Sequence, residues 1–148
     1  MKAIASSCVE HLGAVEWVED LQTNSYYSVG NQSDEWIYAN TQELVSLTEQ
    51  NWNGAYPDFV RINDPIPKGV QSGEGEPLTD VHIPNVSLVT VPLYLLAEMP
   101  NDFDEKQLID VNAMKRKIDS FMRIWAAMDT MSSGSFGVVP PMAQPSSK

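Results

Sequence analysis

The strongest constraint on this chain lies between Val86 and Met128, where a nearly continuous apolar run precedes an amphipathic helical pattern. The run Val86-Ser-Leu-Val-Thr-Val-Pro-Leu-Tyr-Leu-Leu-Ala97 offers apolar residues to both faces of an extended strand, broken by Ser87 on one and Thr90 on the other. A strand of that composition is covered on both sides. Pro92 has no amide hydrogen to give to a ladder, which argues for an edge position or a bulge. Beyond the turn at Glu98–Asp102, Leu108, Val111, Met114, Ile118, Phe121, Trp125 and Met128 recur at steps of three and four. That spacing predicts a helix from about Phe103 to Met128 with one apolar stripe, wide enough to cover a sheet. Asp102 at the N-cap with Glu105 three residues on makes an acidic capping box. Strand and helix read as one packed unit.

The remainder of the chain divides around that unit. Ile4, Cys8 and Leu12 stand four apart with Ala5 and Val9 beside them, which predicts a helix over 3–12 ended by Gly13. Residues 14–20 alternate only in part, and strand and helix both remain open there. Residues 22–35 are polar and read as a loop or irregular hairpin. Trp36–Tyr38 is a short strand. Asn40 and Glu43 form a second capping box, opening a helix through Leu44, Val45, Leu47 and Trp52, with Asn53-Gly54 as its end. Asp58–Ile62 has the size of a strand.

From Asn63 to Asn85 the composition turns to proline, glycine and acid, which excludes a regular core element. If 59–62 paired with 86–97, this segment would be a hairpin arm reaching away from the body; otherwise it is a surface loop. After Met128 the chain becomes rich in serine, proline and glycine, as an extended tail does, with Phe136, Val138, Val139 and Met142 as its anchors. The expectation is an α+β domain over 1–128: a small, mostly antiparallel sheet packed by an N-terminal helix and the long amphipathic helix. A loop protrudes over 63–85, and a tail follows over 129–148.

Charge narrows the choice of partners. The chain has 148 residues and a formal net charge of −11. Residues 1–105 carry 17 acids against three bases, whereas residues 106–148 carry six bases against three acids. Such an acidic body argues against sequence-specific nucleic acid and against anionic membranes as partners. Lys115, Arg116, Lys117 and Arg123 lie on the long helix, and a solvated basic flank suited to its C-terminal half accounts for them. The alternative is head-to-tail self-association, in which that basic face meets the acidic face of another copy, Glu74 and Glu76 included, with Lys68 on the loop. The single cysteine, Cys8, excludes an internal disulfide and agrees with a reducing compartment. The first residues lack the apolar core of a signal peptide, and no apolar stretch is long enough to span a membrane.

No motif names a reaction. Cys8 and His11 come within reach on a helix, but nothing around them completes a nucleophile site, and a small buried thiol is the commoner outcome. His11 and His82 are too far apart in sequence to suggest a metal site, and the helix dipole accounts for Asp102, Asp104 and Glu105 without calcium. Gly69–Gly75 is glycine-rich yet no Lys-Ser/Thr follows it. The four tryptophans sit on separate elements, which favours burial over a carbohydrate platform. The expectation is a non-enzyme with no cofactor, no metal and no small-molecule substrate.

The order of elements resembles a known group. An N-terminal helix, a Trp-containing strand at Val15–Val18, the stretch Ala55-Tyr-Pro-Asp-Phe-Val-Arg-Ile62, a loop, a long strand and an acid-capped amphipathic helix are similar to the small neck and tail-completion proteins of tailed bacteriophages, tail terminators among them. The chain departs from them in ending in a Pro/Ser-rich tail where further strands are expected. The resemblance implies an α+β sandwich that forms a homo-oligomeric ring or adaptor beside other structural subunits, in a virion assembled in the host cytoplasm. A rival reading, drawn from the acidic body, is a monomeric cytoplasmic inhibitor that masks a partner's basic surface. Alanine replacement of Lys115, Arg116 and Lys117 separates the two, weakening only self-association.

Overall fold

In the computed structural model, residues 4–53, 60–62, 73–90 and 108–141 are described, those at 60–62 by backbone pairing alone. In chain order they form β1 (Ser6–Glu10), β2 (Val15–Asp20), β3 (Ser25–Gln32), β4 (Glu35–Ala39), α1 (Gln42–Asn51), β5 (Val60–Ile62), α2 (Glu76–Asp80), β6 (Asn85–Thr90) and α3 (Val111–Asp129). A four-stranded mixed sheet runs β1-β6-β4-β5, and β2 pairs with β3 in a separate two-stranded antiparallel sheet. The fold class is α+β, with mixed and antiparallel sheets.

β6 is the strand about which the body assembles, and all six of its residues are buried. It runs parallel to β1, from Ser6↔Asn85 to Glu10↔Val89, and antiparallel to β4, from Glu35↔Thr90 to Ala39↔Val86. Alternation sends Ile37, Ala39, Val86 and Leu88 to one face, where they meet Leu44 and Val45 of α1, Phe121 and Ile124 of α3, and Phe136. Each of these larger side chains contributes about 1.5–3 kcal/mol by leaving water. The opposite face is polar. There Asn85 Nδ2 donates to Ser87 Oγ (2.6 Å), and the Asn40 amide donates to Thr79 Oγ1 and the Ile83 carbonyl (both 2.9 Å). A Cβ built on Gly75 would meet Ser87 Oγ, so only glycine lets the turn before α2 lie so close to β6.

Several expectations are corrected. Residues 6–10 form a strand rather than part of a helix: Ile4, Cys8 and Leu12 fit a period of two as well as 3.6, and five paired residues on β6 decide it. His11 and Gly13 turn the chain with left-handed φ values of 54° and 76°, which ends β1. Residues 15–20 are strand. The first helix is capped by Thr41, whose hydroxyl accepts from the Leu44 amide (3.3 Å). The Asn40 side chain is engaged elsewhere, its oxygen accepting from the Asn85 amide at 2.7 Å.

β5 pairs with β4 and not with β6, so 63–85 is no hairpin arm between neighbouring strands. Its described part, 73–85, folds back as α2 and the start of β6, with Gly75, Thr79 and Asn85 buried. β6 has a strand on each side and is no edge; Pro92 lies outside the described residues. The long helix begins at Val111 rather than Phe103. Asp110 caps it, accepting from the amides of Asn112 (2.8 Å) and Ala113 (3.1 Å), and the proposed cap at Asp102 lies outside the described residues. Just before it, 108–110 runs extended against the chain at 13–15, with an Ala14↔Ile109 bridge, a Val15 amide to Leu108 carbonyl bond (2.9 Å) and an Asp110 amide to Gly13 carbonyl bond (2.8 Å). Among the described residues no helix is long and apolar enough to cross a membrane.

Candidate interaction surface

The face that α3 turns inward is only in part the apolar stripe of its sequence: Phe121 is in the core and Met114 and Met128 are half-buried, but other members face out. Ala113, Lys117, Ser120, Phe121 and Ile124 are buried, whereas Val111, Ile118, Met122 and Trp125 remain between 40% and 54% exposed. The helix is rolled so that Lys117 enters the interior at 0% exposure. Its Nζ donates to Glu35 Oε1, itself fully buried on β4, and to Gln32 Oε1 (2.6 Å) at the end of β3. Thr90 Oγ1 donates to the same Glu35 oxygen (3.2 Å), and Gln32 Nε2 donates to Asp110 Oδ2 (3.4 Å). A polar chain therefore runs from β6 through β4, α3 and the base of β3 to the cap of α3. A buried cation is tolerable only with such partners.

This geometry dissolves the basic face. Lys117 is an internal ion-pair partner and offers nothing to a neighbour. Arg123 is held against α1: its Nε donates to the Asn51 carbonyl (3.0 Å), and Nη2 to Asn53 Oδ1 and to Ser120 Oγ (2.9 Å). A cation at that place complements the negative end of α1. Arg116 is half-buried and engaged, and its charge helps to depress the Asp110 carboxyl. Lys115 alone of the four is exposed. Lys68 lies outside the described residues.

The acidic and tail residues are put to internal use only in part: Glu74 is exposed and engages Glu10 through its backbone. The Glu74 amide donates to Glu10 Oε1 at 2.5 Å, and Glu76 opens α2 in a half-buried position. Phe136 belongs to the core and its carbonyl accepts from Thr41 Oγ1 (2.6 Å); Val139 is also buried, while Val138 is 89% exposed. Two of the tail's anchors thus hold, Val138 does not, and Met142 lies outside the described residues.

Cys8 and His11 form no dyad. Cys8 sits in β1, where burial first, then Glu74 and Glu10, push its thiol up, opposite to thiolate activation. His11 Nδ1 lies 3.1 Å from the Thr90 carbonyl. Tyr38, on the polar face beside Ser87, is pushed up to about 12 by burial, against the hydrogen bond from Ser87 that favours its anion. Among the described residues no group of three His, Cys, Asp or Glu side chains is placed to hold a metal ion.

Two surfaces are left unpartnered among the described residues. One is the outer side of α3, next to β1, where Trp125 Nε1 donates to Ser7 Oγ (2.6 Å) and a 290 Å³ groove opens between Ile4, Trp125 and Met128. The other is the β2–β3 ribbon. Its base is fixed by a Ser33 amide to Ala14 carbonyl bond (3.0 Å) and by buried Trp17, but Leu21, Tyr27 and Val29 are exposed and β3 is exposed along most of its length. A two-stranded ribbon is marginal by itself in water. The sequence hinted at neither surface, because the ribbon reads as polar loop and the helix stripe reads as wholly inward-facing. Compared with known proteins, the chain matches no family model, no curated protein and no solved structure.

Proposed function

We propose that this protein is a non-enzymatic structural subunit of a larger assembly, of the kind found at the neck or tail of a phage particle, and that it acts through contacts with copies of itself and with other subunits. The observation that carries the reading is the apolar outer side of α3, four large side chains left exposed on the longest helix among the described residues. Exposed apolar surface of that continuity marks a contact. The β2–β3 ribbon supplies a second surface, suited to reaching a neighbour. A basic helix face does not steer the contact, because Lys117 and Arg123 are consumed inside the subunit.

The solution mass of the purified chain by light scattering tests this. A defined multimer is expected, and it should hold or tighten between about 0.05 M and about 0.5 M salt, since screening relieves repulsion between like-charged copies. A monomer at every concentration and salt overturns self-assembly and favours the acidic inhibitor, a reading that the loss of the basic face makes easier to hold.

A further inference from the structure

We propose that the outer side of α3 is a two-fold contact, occupied by the α3 of a second copy running antiparallel to it. The proposal deepens the assembly reading and rests on it for the existence of a partner copy. Val111, Lys115, Ile118, Met122, Trp125 and Asp129 follow one another along α3 at alternating steps of four and three. That is the seam spacing of packed helix pairs, in which the side chains of one helix enter the gaps of the other. All six are exposed, so the seam is formed and open rather than inferred from hydropathy alone.

The charges at its ends choose the occupant and its direction. The apolar middle, Ile118, Met122 and Trp125, is bounded by exposed Lys115 on one side and exposed Asp129 on the other. In a parallel pair, lysine would face lysine and aspartate would face aspartate. Reversing the second helix sets Ile118 of each copy against Met122 of the other. The Lys115 stem then lies over the Trp125 ring of the other copy, with its ammonium directed at Asp129 one turn farther on. The seam is therefore complementary to itself under a two-fold axis, as an isologous contact must be. Each subunit carries a net charge of −11, so this local pairing works against a general repulsion, and the apolar centre must supply most of the affinity.

Sedimentation equilibrium of the full chain tests the contact with surface variants that leave the interior intact. Lys115→Glu and Asp129→Lys should each weaken self-association by about tenfold, since each replaces two attractive pairs with two repulsive ones. The double variant Lys115→Glu/Asp129→Lys should return to within about twofold of the parent. Met122→Lys should abolish the contact while the far-ultraviolet circular dichroism stays unchanged. Losses that add in the double variant, or a multimer that ignores all four variants, overturn the α3 contact but leave the assembly reading standing. A parent chain that is monomeric throughout overturns both.

Discussion

The two sides of α3 depart from the usual sorting of residues, although Ala113, Phe121 and Ile124 still face inward. Its inner side carries Lys117 and Ser120, both fully buried, and its outer side carries Ile118, Met122 and Trp125, all exposed. Hydropathy alone would turn Ile118 and Trp125 farther inward and Lys117 outward. What fixes its roll is a set of specific partners. Glu35 and Gln32 receive Lys117, Asn53 receives Ser120 at 3.2 Å and Arg123 beside it, and Asp110 anchors the first turn to Gln32. Once those bonds are made, Phe121 and Ile124 suffice to fill the core, with Phe121 set against the rings of Trp52 and Trp125 at 5.8 Å each. Val111, Ile118 and Met122, and the outer part of Trp125, are left exposed by the subunit. Polar partners decided the orientation, and these exposed side chains mark where something else packs.

The largest test of that contrast removes Lys117. Lys117→Ala leaves the Glu35 carboxylate buried without its cation and should cost about 3–5 kcal/mol in urea unfolding, while Lys117→Met with Glu35→Leu should recover most of it. A single variant within 1 kcal/mol of the parent, roughly the value of an exposed pair, would show that the pair does not set the roll. A smaller effect is expected at the cap. Asp110→Ala should cost about 1 kcal/mol, the usual value of an N-cap side chain. The bond from the Ala113 amide, then that from Asn112, the Gln32 side chain and nearby Arg116, hold this carboxyl below its ordinary 3.8 against the effect of burial. Its contribution is complete above that ordinary value and is lost as the pH falls through the folded one, so the alanine variant should show a flatter acid limb in the pH dependence of stability. The smallest effect belongs to the outer side. Ile118→Ser should shift the unfolding free energy of the dilute subunit by less than about 1 kcal/mol, because the side chain is exposed before and after. A loss as large as that at Lys117 would mean that the outer side is interior after all.

Sequence patterning disclosed what local physics controls. The doubly covered strand at 86–90, the helix ending near Met128 and the helix through Leu44 and Val45 all follow from runs long or regular enough to exclude the alternative. Residues 6–10 did not, because five residues do not separate a period of two from 3.6 and the deciding partner, β6, is distant in sequence. The helix start moved from Asp102 to Asp110 because one acidic cap resembles another until tertiary bonds select it, here those joining 108–110 to 13–15. In the sequence Lys117 looks like part of a basic surface, since nothing beside it in the chain announces Glu35, which arrives from β4. Four bases on one helix were a composition; only the fold assigned three of them to internal work.

The parallel pairing of β1 with β6 also governs the order in which the chain can be completed. Ser6 finds its hydrogen-bond partners at Pro84 and Asn85, 78 and 79 residues away. Closing so large a loop is slow, and it is impossible on a ribosome until residue 90 has emerged. Through that interval the first strand to be made waits with both edges open, until β6, the last strand of the sheet among the described residues, covers one of them.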